Sequence, residues 1–179
     1  MTRIVFLNGA PSTGKTTLAR ALHEALPGPV FYQSLDEFRG SIRPEFWIQG
    51  RVPGLFERVV ETYVACLREV AAHGLDVVAE SMILPADLPR YAELFGSFDV
   101  RMVGITCPLP EIRRREGQRT DRYNGFLEPD VPTYEAVNRN TYELLIDTST
   151  ESTSTSLRRI LEHLEKPSAD DVGSVSWGS

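Results

Sequence analysis

The apolar positions of the chain alternate between a strand-like and a helix-like period. Arg3 to Asn8 (RIVFLN) is a short run of branched and aromatic residues closed by Gly9, the pattern of a strand covered on both faces. From Lys15 to Leu26 the apolar residues Leu18, Ala19, Leu22 and Leu26 recur at helical spacing until Pro27-Gly28-Pro29 stops them. Val30 to Gln33 predicts a second strand, Leu55 to Ala72 a long helix ended by Gly74, and Leu75 to Ala79 a third strand that finishes at Glu80. Asp87 to Phe95 predicts a helix, Phe98 to Thr106 a fourth strand, and Pro108 opens a charged helix that runs to about Gly117. Tyr142 to Ile146 predicts the fifth strand. Ser152 to Leu164 predicts a closing helix with Leu157, Ile160, Leu161 and Leu164 on one side. Gly40 to Gly54 is rich in Pro, Gly and aromatics and has no clean period.

Strands that alternate with helices predict an α/β fold: a five-stranded parallel sheet with helices on both faces, in three layers. At 179 residues one domain is expected, spanning 1–166, and the polar, Gly- and Ser-rich stretch 167–179 is expected to be a disordered tail. No internal repeat is visible.

Charge narrows the function classes. The net charge of -6 disfavours a protein held mainly by nucleic-acid phosphates, so no nucleic-acid partner is expected and any basic site is local. Lysine occurs only at Lys15 and Lys166; a base-composition bias is the plain explanation of the arginine-rich remainder. Cys66 and Cys107 lack metal or disulfide spacing and are expected to be buried thiols. The chain starts on an apolar strand without a basic leader, and no apolar stretch approaches the ~20 residues of a membrane span, so a cytoplasmic protein with no membrane partner is expected.

Gly9-Ala10-Pro11-Ser12-Thr13-Gly14-Lys15-Thr16 satisfies G-x-x-x-x-G-K-[ST] between the first strand and the first helix. The glycines let several backbone N–H groups converge on one anion, and the helix presents its positive end to the same point. This loop, with Thr17 behind it, is expected to hold ATP. Lys15 would neutralise the β and γ phosphates, and the Thr16 hydroxyl would take one position on Mg2+.

In an open parallel sheet the ligand lies beyond the carboxyl ends of the strands. Asp36 follows the second strand, where a base for an acceptor hydroxyl is expected; the alternative is a helix N-cap for Glu37-Phe38-Arg39. Glu80 ends the third strand and could hold a magnesium-bound water or a polar group of the acceptor, or pair structurally with an arginine. Cys107, Asp147 and Thr148 also sit near strand ends, with nothing in their spacing to single them out.

Between the fourth and fifth strands, Arg113 to Arg122 (RRREGQRTDR) concentrates positive charge where a short lid would close. Arg115, Arg119 and Arg122 share a face if the helix continues that far, and they are expected at the nucleotide, with Arg119 and Arg122 neutralising charge during transfer. Gly117 and Gly125 would be the hinges. Arg113 and Arg114 are expected on a solvated face.

The segments FLNGAPSTGKTTLARAL, VGITCPLPEIRRREGQRTDR and YELLIDTSTES, in that order, resemble the chloramphenicol phosphotransferase-like family of P-loop small-molecule kinases. The resemblance implies a P-loop kinase fold with an arginine-bearing lid and ATP-dependent O-phosphorylation of an antibiotic hydroxyl. It maps the base onto Asp36 and the lid arginines onto Arg119 and Arg122. The chain departs from the family at Thr120, often glycine there, at Glu80-Ser81, and across Gly40 to Pro53.

That last stretch is expected to line the acceptor pocket. Phe38, Phe46 and Trp47 would pack on a ring there, or else form ordinary core. The expected partner is therefore a small-molecule acceptor, an antibiotic of chloramphenicol or nucleoside type. A metabolic kinase of the same fold is the alternative; a nucleotide acceptor would need a further arginine pair, for which Arg39, Arg43 and Arg51 are available. An ATP-binding adaptor without catalysis is the alternative of another class. The oligomeric state is left open by the sequence.

Overall fold

The computed structural model describes residues 1–48, 51–118 and 131–167. The chain forms β1 (Arg3–Asn8), α1 (Lys15–Ala25), β2 (Val30–Ser34), α2 (Leu35–Gly40), α3 (Leu55–Ala72), β3 (Asp76–Ser81), α4 (Leu88–Phe95), β4 (Asp99–Thr106), α5 (Leu109–Gly117), α6 (Val131–Asn138), β5 (Leu144–Asp147) and α7 (Thr153–Leu164). The five strands pair in parallel in the order β2-β3-β1-β4-β5, so the glycine loop leaves the centre of the sheet.

β1 shows why the run RIVFLN becomes a central strand. Ile4 and Phe6 point to one face and pack with Tyr63 and Leu67 of α3 and Phe95 of α4. Val5 and Leu7 point to the other, against Leu18 and Leu22 of α1 and Ile160 of α7. All four β1 side chains are at most 1% exposed. Burial of that kind stabilises by roughly 1.5–3 kcal/mol per large apolar side chain.

Several expected boundaries move. α2 begins directly at the end of β2 because the Ser34 hydroxyl caps it, accepting from the Glu37 amide at 2.9 Å. Asp36 is therefore inside the first turn and not the cap. α6 has no counterpart in the sequence pattern, since Val137 is its sole buried residue and it lacks an apolar stripe. α5 ends at Gly117, capped by Gln118, and the shared face expected of Arg115, Arg119 and Arg122 falls outside the described residues. Cys107 is buried as expected, whereas Cys66 is half-buried on α3. No helix among the described residues is long and apolar enough to cross a membrane. Arg119, Arg122, the hinge at Gly125 and the tail from residue 168 lie outside the described residues.

At the edge opposite the glycine loop, Asp99 accepts from Arg3 at 3.0 Å and from Arg101 at 2.7 Å. Arg101 is 2% exposed and also donates to the Lys166 carbonyl at 2.9 Å, which ties the end of α7 to the sheet. Burial alone would raise the Asp99 carboxyl, but the two arginines outweigh it and hold it below the usual carboxylate range. The stability this ionised group contributes is complete above its unfolded pKa, near ~4, and is lost as pH falls through the lower folded value. Asp99→Asn is expected to cost about 3 kcal/mol at pH 7, because it leaves Arg101 buried without its counter-charge. Urea unfolding at several pH values should show the difference between variant and wild type shrinking below about pH 4.

Candidate functional site

The loop between β1 and α1 is a cradle shaped by close backbone approach. A Cβ on Gly9 would stand 2.1 Å from the Ile105 carbonyl oxygen of β4, so glycine is required there. Gly14 sits in the left-handed region at φ 94° and caps α1. Ala10 and Thr13 are buried inside the loop, where the Thr13 hydroxyl donates to the Ala10 carbonyl at 2.9 Å. They shape the cradle, while Pro11, Ser12, Gly14, Lys15, Thr16 and Thr17 line a cleft of about 630 Å³ beyond it.

Two groups from distant segments brace this loop. Thr148, just after β5, donates from its hydroxyl to the Thr13 carbonyl at 2.6 Å. Arg115 of α5 donates to the Thr148 hydroxyl and carbonyl, each at 3.0 Å, and to Glu111 at 2.9 Å. The neighbouring Glu116 accepts from the Ser12 hydroxyl. Arg115 therefore lines the cleft while joining the loop to the β5–α7 connection.

Beside the loop, Glu80 at the end of β3 is 5% exposed. Its carboxylate accepts from the Thr16 hydroxyl at 2.8 Å and from the Tyr32 phenol of β2 at 2.7 Å. Burial and the adjacent Glu80 raise the Tyr32 phenol well above its ordinary value, so it remains a donor. Among the described residues Glu80 is not paired with an arginine. The Lys15 ammonium donates to the Ala10 carbonyl at 2.7 Å, next to the same pair.

Among the described residues no cluster of three His, Cys, Asp or Glu side chains could hold a metal by itself. The Thr16 hydroxyl and Glu80 carboxylate are instead hard oxygen donors of the kind Mg2+ takes together with phosphate oxygens and water. The residues present fit that ion.

The far half of the cleft is lined by Leu35, Asp36 and Arg39 of α2, Phe56 of α3 and Met82. Asp36 is exposed and accepts from Arg39 at 3.3 Å. Phe38 is not part of this wall. Two residues past Asp36 it lies on the opposite face of α2, packed into the core with its ring 5.6 Å from that of Tyr63. Trp47 also lies outside the lining; its ring stacks 4.8 Å from the Arg39 guanidinium and so supports a residue that does line the cleft. Phe56 takes the aromatic position expected of Phe38.

A family model, chloramphenicol phosphotransferase-like protein, matches residues 2–165. The chain belongs to that family. Membership supports a small-molecule kinase of the nucleotide-binding P-loop type. None of the curated protein sequences compared with the chain matches it. Solved structures share the fold at low identity. A sugar kinase from a Janibacter species is 18% identical with a TM-score of 0.67, covering 98% of this chain and 100% of its own. The tunicamycin resistance protein of Deinococcus radiodurans is 20% identical with a TM-score of 0.67, covering 94% and 98%. Shikimate kinase from Bacteroides thetaiotaomicron is 19% identical with a TM-score of 0.67, covering 92% and 99%.

Sequence reasoning assigned no role to Thr148 and Phe56, which line the cleft, or to Tyr32, which holds Glu80 beside it, and it named Arg39 only as available to a nucleotide acceptor. Arg39 had a usable signal, since it lies one helical turn from Asp36 and so shares its face. Thr148 had a weaker one, its place just past the end of a strand. Gly9→Ala is expected to displace the loop against β4, lowering stability by about 1–3 kcal/mol and weakening nucleotide binding at least about tenfold. Calorimetric titration with ATP and a thermal melt would measure both.

Proposed function

We propose that this protein is an ATP-dependent O-phosphotransferase that transfers the γ-phosphoryl group to a hydroxyl of a small molecule. The reading is supported chiefly by one observation: Lys15, Thr16 and Asp36 line the same cleft, with the phosphate cradle at one end and the carboxylate at the other. ATP would lie on the loop from Gly9 to Thr16, its β and γ phosphates facing Lys15. Mg2+ would supply charge neutralisation on the phosphates beside Thr16 and Glu80. Asp36, exposed to the cleft, would orient the acceptor hydroxyl and take its proton as the oxygen bonds to the γ phosphorus and the bond to ADP breaks. Tyr32, by donating to Glu80, would keep that carboxylate aimed at Thr16. Arg119 and Arg122 would close over the transferring group.

The family name favours an antibiotic acceptor and a role in resistance, exercised in the cytoplasm where ATP is available. A metabolic acceptor is the second reading, favoured by the cation Arg39 in the acceptor half of the cleft. Both use the same chemistry. Transfer of labelled γ-phosphate from Mg-ATP should be measured on a panel of hydroxyl-bearing antibiotics and metabolites. Asp36→Asn is expected to lower kcat about 10²–10⁴-fold with ATP affinity nearly unchanged, and Lys15→Ala to abolish transfer. ATP binding without transfer to any acceptor, or an Asp36→Asn variant as active as wild type, would favour an ATP-binding adaptor instead.

A further inference from the structure

The cleft runs across the carboxyl ends of the sheet. The phosphate loop leaves β1 at the centre, and Asp36 lies just past the edge strand β2. In the other direction Glu151, Thr153 and Ser156 line the cleft past β5, the opposite edge strand, and phosphoryl transfer gives them no task. The γ phosphate must face Asp36 for transfer, so the nucleoside runs from the loop toward β5. Thr148 marks that path: its side chain stands 3.5 Å from where a Cβ on Gly14 would lie, and Glu151 follows three residues later. Neighbouring strands lie about 4.8 Å apart, which puts β5, two strands away, roughly 10 Å from β1. That span carries past the ribose to the base.

Glu151 is suited to read one edge of a base. Its side chain is 19% exposed. One oxygen pairs with the Arg159 guanidinium, and the other accepts from the Ser156 hydroxyl at 3.3 Å. A carboxylate paired with a guanidinium is an acceptor at each of its about four lone-pair sites, so about two stay open to a donor in the cleft. Arg159 and Ser156 also hold the side chain in place before a ligand arrives, which reduces the ordering cost of binding. The 6-position of a purine decides the match. An amino group there donates to the carboxylate, whereas a carbonyl would set oxygen against oxygen. We propose that Glu151 reads the 6-amino group of adenine and so makes the site select ATP over 6-oxopurine nucleotides. This deepens the phosphotransferase reading and rests on the direction it gives the nucleotide.

The test uses the full chain with Mg2+ and measures affinity by calorimetric titration. The probes are ATP, inosine 5′-triphosphate, which carries a 6-carbonyl in place of the 6-amino group, and 2′-deoxy- and 3′-deoxy-ATP. Wild type is expected to bind ATP about ten- to a hundredfold tighter than the inosine nucleotide. In Glu151→Gln the amide oxygen stays with Arg159 and turns the NH2 group to the cleft, so the preference should fall to about twofold or reverse. Glu151→Asp keeps the charge but withdraws it by one methylene, and should give an intermediate ratio. A change in local charge or packing moves both nucleotides together, so the ratio reports base reading. A thermal melt checks folding, and the Asp variant carries the comparison if the Gln variant is unfolded. Equal affinities in wild type, or a ratio that survives at full strength in the folded variants, would overturn the proposal. So would variants that erase a preference for ribose over deoxyribose and leave the 6-amino preference intact, since Glu151 would then serve the sugar. Transfer of labelled γ-phosphate to the acceptor panel is measured in parallel. ATP preference without transfer would overturn the phosphotransferase reading alone, transfer without ATP preference would overturn the base site alone, and no nucleotide bound would overturn both.

Discussion

A carboxylate that is almost fully enclosed is costly unless its oxygens are bonded, and Glu80 is such a group. Its two oxygens take hydrogen bonds from Thr16 at the start of α1 and from Tyr32 on β2, while the Tyr63 phenol of α3 donates to its backbone carbonyl at 3.0 Å. Satisfying one buried residue thus fixes the spacing of β2, β3, α1 and α3 around a common point. That point adjoins the phosphate cradle. The negative charge there also gives a hard oxygen surface to a divalent cation, so the requirement that orders the fold also prepares the chemistry.

A second set of bonds holds the cradle from the opposite side. Thr148 reaches the Thr13 carbonyl and Arg115 reaches Thr148, which couples α5 and the β5–α7 connection to the loop. The loop end of the cleft is thus braced by side chains from two distant segments. The end beside Asp36 is built on the short helix α2 and on aromatic rings around Arg39.

The strands, the phosphate loop and the order of elements were legible in the sequence because each rests on a local pattern: period, glycine positions and strand-to-helix context. The helix at Val131–Asn138 was not, since it carries no apolar stripe to betray it. The loop end of the cleft could be read from the G-x-x-x-x-G-K-[ST] spacing, whose Pro11, Ser12 and Gly14 to Thr16 line it. Phe38, left open between ligand and core, was undecided for a different reason. Whether an aromatic near a pocket faces ligand or core depends on the rotation of α2, and that rotation is set by the Ser34 cap, which shifts Asp36 and Arg39 toward the cleft and Phe38 toward Tyr63.

The end of β1 shows a further economy of construction. Asn8 is fully buried, and its side-chain amide accepts from the Ile83 amide at 2.6 Å and donates to the Ile83 carbonyl at 3.0 Å. That reciprocal pair is what a backbone residue offers its neighbour in a ladder. The side chain acts as a surrogate peptide unit, continuing the pairing where β1 has turned away into the glycine loop and the segment beyond β3 would otherwise peel off. The gap between the end of β1 and the segment beyond β3 is thereby gauged by the length of one amide. An acid at this position would offer the same outline with one donor replaced by an acceptor, and the two segments would repel where they now interlock.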